Sequence, residues 1–172
     1  MNWNTIKTTL GFLGTMARKY TGFGLRGDAT TSIYNHLQIT ERLHTSGQPT
    51  AKQFVAIKSA GFLRVINLAP TGVENALPDE AATLSELEMD YTHIPVDFQN
   101  PTLKDFEQFS DAMEAAGDEP IWVHCAANMR VSAFVYKYRR DVLRDDEADA
   151  RKDMSVIWEP FGIWKDFTKR HQ

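Results

Sequence analysis

One cysteine, Cys125, among 172 residues excludes an internal disulfide and cannot by itself build a zinc site. No apolar run approaches the ~20 residues that cross a bilayer. Basic residues are in deficit: 19 Lys and Arg against 23 Asp and Glu give a net charge of -4. That balance argues against a nucleic-acid backbone or an anionic membrane as the main partner. His36, His44, His93 and His171 show no ligand spacing, so no metal is expected, and no cofactor. A secretory leader is not expected either. Gly11, Gly14 and Thr15 interrupt the stretch Thr9 to Ala17, and Arg18-Lys19 follows it, so a cytoplasmic protein is expected.

What is present suits one domain with a sizeable core: 42% hydrophobic, 24% charged and 11% aromatic residues. Residues 1–30 differ from the rest. Trp3, Ile6, Leu10 and Leu13 recur at spacings of three and four and predict a short amphipathic helix. Thr21 to Gly24, then Gly27-Asp28, predict a loop. We read 1–30 as an appendage that packs on the domain of 31–172 or on a second copy, which leaves a homodimer open.

From residue 31 strand and helix patterns alternate. Leu43 to Ser46 is a strand ending at Gly47-Gln48-Pro49. Thr50 caps a helix, with Gln53 in the capping-box position and Gly61 at its end. Leu63 to Leu68 is a buried strand, Pro78 to Met89 a helix with acidic residues in its first turn, and Tyr91 to Val96 a strand. Thr102 to Ala116 is a helix with Leu103, Phe106, Phe109 and Met113 on one stripe. Pro120 to His124 is a strand, and Val131 to Leu143 a helix. One or two more helices follow, with Trp158, Phe161, Trp164 and Phe167 as core anchors. This order predicts an α/β fold whose mainly parallel central sheet is flanked by helices.

In such sheets ligands bind where a strand's carboxyl end runs into a helix. His124-Cys125-Ala126-Ala127-Asn128-Met129-Arg130 stands at that place. Small residues at 126 and 127 let the backbone curl with its N–H groups inward, and Asn128 tolerates a left-handed conformation. Inward amides at the positive end of a helix make an anion site, to which Arg130 adds a planar fork. A thiol in that field favours its nucleophilic thiolate form. The other reading of a lone cysteine is a small buried hydrophobe. The His before it, the Arg five residues on and the strand-loop-helix setting favour the reactive one.

The His-Cys…Arg segment after a buried strand resembles the protein tyrosine phosphatase superfamily. With Ser46-Gly47-Gln48-Pro49, Val65-Ile66-Asn67-Leu68 and Tyr91…Ile94-Pro95-Val96 in that order, it is closest to the bacterial beta-lactamase-hydrolase-like phosphatases. The resemblance covers roughly 40–143. It implies a dual-specificity-phosphatase-like fold and hydrolysis of phosphate monoesters through a phosphocysteine. The substrate would be a phosphorylated protein or a small phosphomonoester, and a phosphate or sulfate ion would sit in the P-loop of Ala126, Ala127, Asn128, Met129 and Arg130. The general acid would be Asp97, ahead of Asn100-Pro101, where a turn-forming Asp is the alternative. His124 would tune the loop through hydrogen bonds to its backbone, and Ser132 would stabilise the departing thiolate.

One departure stands out: the superfamily has five residues between Cys and Arg, and here there are four. Four also occur in rhodanese-like sulfurtransferases, so a Cys125 persulfide carrier is the runner-up. A non-catalytic phosphate- or sulfate-binding module is third. The absence of Lys from the loop weakens a case for highly charged inositol phosphates.

Overall fold

The structure, a computed structural model, describes residues 2–21 and 29–170. Helix α1 (Trp3–Thr21) leads, and a 3-10 turn (Thr30–Ser32) precedes β1 (Leu37–Gln38) and β2 (Leu43–Ser46). Then come α2 (Ala51–Ser59), β3 (Arg64–Asn67), α3 (Glu80–Glu86), β4 (Asp90–His93), α4 (Leu103–Ala116) and β5 (Ile121–His124). Helix α5 (Met129–Lys137) continues into a π-helical turn (Tyr138–Val142), followed by α6 (Glu147–Ile157) and α7 (Ile163–Lys169).

The sheet order is β1-β2-β5-β3-β4. Strand β5 lies at the centre, parallel to β2 (Ser46 opposite His124) and to β3 (Asn67 opposite His124). Among the strand pairs of the described residues only β1–β2 is antiparallel, and β1 escaped the sequence pattern because two residues carry no period. The expected mainly parallel sheet is therefore found, with one antiparallel edge.

Period-two alternation sends neighbouring side chains to opposite faces. Val65 and Trp122 join Phe54, Ile57, Phe62 and Leu84 under α2 and α3. Ile66 and Val123 join Phe106, Phe109, Phe134 and Phe167 under α4, α5 and α7, and Cys125 belongs to that second core. The predicted N-cap forms as a reciprocal capping box, Thr50 with Gln53, and Thr102, expected as the first helical residue, is itself the N-cap of α4 in a second box with Asp105. At the end of α5 the buried Lys137 donates to Asp141 of the π-helical turn at 2.9 Å, and Arg140 of that turn donates to the Thr168 carbonyl at 2.6 Å, tying α7 to α5.

Several expectations need correction. Leu103 and Phe161 face solvent, so the α4 stripe begins at Phe106 and the C-terminal anchors are Trp158, Trp164 and Phe167. The helix expected over 78–89 shrinks to α3, which starts after a left-handed Asp79 (φ 52°). Helix α1 is longer than its pattern suggested and crosses both Gly11 and Gly14. It docks through its polar side: Thr5 and Thr8 are buried, while Trp3, Leu10 and Leu13 are exposed. The Asn4 amide donates to the Ser155 carbonyl (2.8 Å), the Thr8 hydroxyl donates to that of Ile157 (2.6 Å), and the Glu159 N–H donates to Thr5 Oγ1 (3.0 Å). Beyond Thr21, the loop expected up to Asp28 lies outside the described residues, as does His171.

Candidate active site

Cys125 is the first residue after β5 and is 1% exposed. Its N–H donates to the Ser46 carbonyl at 3.3 Å, continuing the β2–β5 ladder one step beyond the strand. The chain then curls through Ala126, Ala127 and Asn128 into α5. Asn128 is left-handed (φ 66°), as its short polar side chain allows. Its Nδ2 donates to the Asn35 carbonyl (2.7 Å) and to Thr45 Oγ1 (3.0 Å), which pins the turn to the β1–β2 side.

The carbonyls of the curl are held outward from several directions. Gln48 N–H (3.3 Å) and Asn75 Nδ2 (2.9 Å) donate to the Ala126 carbonyl, and Asn35 Nδ2 (3.0 Å) donates to that of Ala127. Gly47 makes this approach feasible: a Cβ there would lie 3.1 Å from the Ala126 carbonyl oxygen and 2.9 Å from Tyr34 Cδ1. With the oxygens turned out, the N–H groups of Ala126, Ala127, Met129 and Arg130 have no acceptor among the described residues. They lie at the N-terminus of a nine-residue helix, where the dipole is positive.

Arg130 sits in the first turn of α5 and is 8% exposed, yet among the described residues it forms no ion pair, and its Nε is buried without a hydrogen-bond partner. Its guanidinium rests 5.2 Å from the centroid of the Phe98 ring. Phe98 in turn packs on Trp158 and Trp164, and its carbonyl accepts from Trp164 Nε1 at 2.7 Å. A buried guanidinium without a carboxylate is costly unless an anion completes it. The segment that carries Phe98 also carries Asp97, whose exposed carboxylate accepts the Gln99 N–H at 2.8 Å. The Asp97 segment and the cysteine loop thus meet through Phe98 and Arg130, with Asp97 in an Asx turn at the rim.

Two supporting residues differ from expectation. His124 precedes Cys125 on a strand, so its side chain points to the other face of the sheet. There it packs edge-on to Phe54, with Nε2 3.3 Å from Glu80 Oε1, and neither ring nitrogen bonds the loop backbone. Ser132 is turned toward α6: it donates to the Met129 carbonyl (3.0 Å) and accepts from Trp158 Nε1 (3.1 Å).

The sequence pattern missed the partner of His124. Glu80 is 8% exposed and accepts from Asn67 Nδ2 (2.8 Å), Tyr91 Oη (2.9 Å) and Gln48 Nε2. Burial would push its carboxyl up, but the facing His124 and the bonds from Gln48 and Tyr91 outweigh that and hold it at about 2. Gln48 joins this network to the loop, because its own N–H holds the Ala126 carbonyl. A cleft of about 550 Å³ opens beside Glu80, between 69–79 and His93, and neither Cys125 nor Arg130 lines it. No cluster of three or more His, Cys, Asp or Glu suited to a metal occurs among the described residues.

Comparison with known proteins places the chain in a family. The family model described as "DSP-PTPase phosphatase fused to NAD+ Kinase" matches residues 16–163. A beta-lactamase hydrolase-like protein of Agrobacterium fabrum is 33% identical over 97 residues, 55% of this chain but only 22% of that relative's length. A DUF442 protein of Shewanella putrefaciens CN-32 superposes with a TM-score of 0.72 at 34% identity, over 80% of this chain and 91% of that one. The core catalytic domain of the PP-IP phosphatase SIW14 of S. cerevisiae shares the fold: TM-score 0.66, 12% identity, 81% of this chain and 86% of that one.

Proposed function

Because the chain belongs to the DSP-PTPase phosphatase family, we propose that it hydrolyses phosphate monoesters through a phosphocysteine on Cys125. One observation supports this reading: loop amides and a buried Arg130 Nε, all without partners among the described residues, follow within five residues of the only cysteine, at the end of its strand.

The Cys125 thiolate bonds to phosphorus as the bond from phosphorus to the leaving alkoxide or phenoxide breaks. Amides from Ala126 to Arg130 and the guanidinium hold the three non-bridging oxygens. Asp97 gives its proton to the leaving oxygen. It later takes one from the water that attacks phosphorus, displacing the thiolate and releasing inorganic phosphate. Ser132 holds the first turn of α5 for Arg130, and its hydroxyl reaches the departing sulfur only by releasing the Met129 carbonyl. The Glu80–His124 pair anchors the strand end from the opposite face. The substrate is a phosphorylated protein or a small phosphomonoester. The cytoplasm, which keeps thiols reduced, suits such a nucleophile.

Turnover of p-nitrophenyl phosphate tests the reading. It is expected for the wild type and lost in Cys125→Ser with the unfolding transition unchanged. No turnover in the wild type, or equal turnover in both, refutes it. The four-residue spacing supports one second reading, a Cys125 persulfide carrier. Thiosulfate:cyanide transfer that needs Cys125 and ignores Asp97→Asn would favour that one.

A further inference from the structure

The face of α1 turned away from the domain is unlike an ordinary solvent face. At 3.6 residues per turn, Trp3, Ile6, Leu10 and Leu13 fall within about 80° of one another, and their stripe lies about 150° around the helix from Thr5 and Thr8. Those two threonines face the domain, so the apolar stripe points outward: Trp3 is 71% exposed, Leu10 62% and Leu13 54%. Gly11 fixes this orientation, since a Cβ there would lie 2.7 Å from the Tyr34 hydroxyl. Three large apolar side chains on one face cost solvation free energy unless something covers them.

Charge points to the cover. Helix α1 carries Lys7, Arg18 and Lys19 and no acidic residue, in a chain where acids outnumber bases 23 to 19. The net charge of -4 averages over this asymmetry, and the expectation it gave of no membrane partner does not extend to α1. The stripe is also narrow. Nineteen residues give a face about 28 Å long and about 10 Å wide, well under the roughly 800 Å² that each partner buries in a stable protein interface. An interfacial helix needs no more than such a strip, with a tryptophan and cations to meet the headgroups.

We propose that α1 lies on an anionic phospholipid surface, with Trp3, Ile6, Leu10 and Leu13 in the headgroup–acyl boundary and the phosphatase domain held above it by the threonine face. Co-sedimentation of the full chain with vesicles tests this, using phosphatidylcholine mixed with phosphatidylglycerol against phosphatidylcholine alone. Binding is expected to the mixed vesicles and to weaken with salt. The exposed double substitution Trp3→Ser/Leu10→Ser should weaken it on the order of a hundredfold, and Lys7→Glu by roughly tenfold or more. Neither change touches a domain contact, so thermal unfolding should be unaltered. No binding to mixed vesicles at low salt, or equal binding by the double variant, overturns the proposal. A wild-type dimer in sedimentation equilibrium that the double variant abolishes, without vesicle binding, also overturns it and assigns the face to a second copy.

Discussion

Asn128 combines a left-handed backbone with two side-chain bonds, and two substitutions separate these contributions. Asn128→Ala removes the bonds to the Asn35 carbonyl and Thr45 Oγ1 and places a Cβ-bearing residue without local compensation at φ 66°. Each lost bond is worth about 1 kcal/mol, more where the acceptor stays buried. The left-handed conformation costs alanine roughly 1 kcal/mol. The sum, about 3 kcal/mol, should lower the melting temperature by roughly 6–12 °C in a domain of this size. Asn128→Gly loses the same bonds but accepts the backbone, so it should cost about 1 kcal/mol less than alanine. Urea unfolding of the three proteins measures the difference directly. Turnover of p-nitrophenyl phosphate should fall in the same order, since the curl aims the amides. Glycine as damaging as alanine would refute the backbone argument, and a loss below about 0.5 kcal/mol in both would show that the turn does not depend on Asn128.

Two further substitutions address the groups on either face of the sheet. Arg130→Lys keeps the charge but loses the fork and the stacking on Phe98, so kcat/KM for p-nitrophenyl phosphate should drop by about 10²–10³ with little change in unfolding; an unaltered kcat/KM would exclude the clamp role. The Glu80 carboxyl is held below its ordinary value of 4.5, at about 2, so the stability it contributes is complete above 4.5 and lost as pH falls toward 2. That contribution is at most about 3 kcal/mol, and Glu80→Gln should flatten the urea midpoint against pH across that window. A slope equal to the wild type's would place the acid sensitivity elsewhere.

Much of this organisation was legible in the residues. Thr50 with Gln53, and Thr102 at the head of its helix, announced helix starts because capping is local chemistry. Asn128 announced its own backbone. The cradle was legible because strand, small residues and helix are contiguous in the chain, whereas its braces are not. Asn35 and Asn75 reach the loop carbonyls from 92 and 51 residues away, and Glu80 reads locally as a first-turn acid. The pattern of α1 gave an apolar stripe but not which side would dock. There, directional bonds from Thr5 and Thr8 and the close approach at Gly11 decided against the apolar side. The period-two rule could have predicted that His124 and Cys125 face opposite sides of the sheet.

The lone, enclosed sulfur of Cys125 has a consequence under oxidative stress. If Cys125 is the nucleophile proposed above, it is also a target for peroxide, which is small enough to reach a site that is 1% exposed. The resulting sulfenic acid finds no resolving thiol within these 172 residues. A sulfenic acid can instead condense with a backbone nitrogen, and a sulfenamide formed in this loop would distort the curl that the outward carbonyl bonds maintain. Recovery would then rest on a small diffusible thiol or on a reductase, and activity would follow the redox poise of the compartment as well as the supply of substrate.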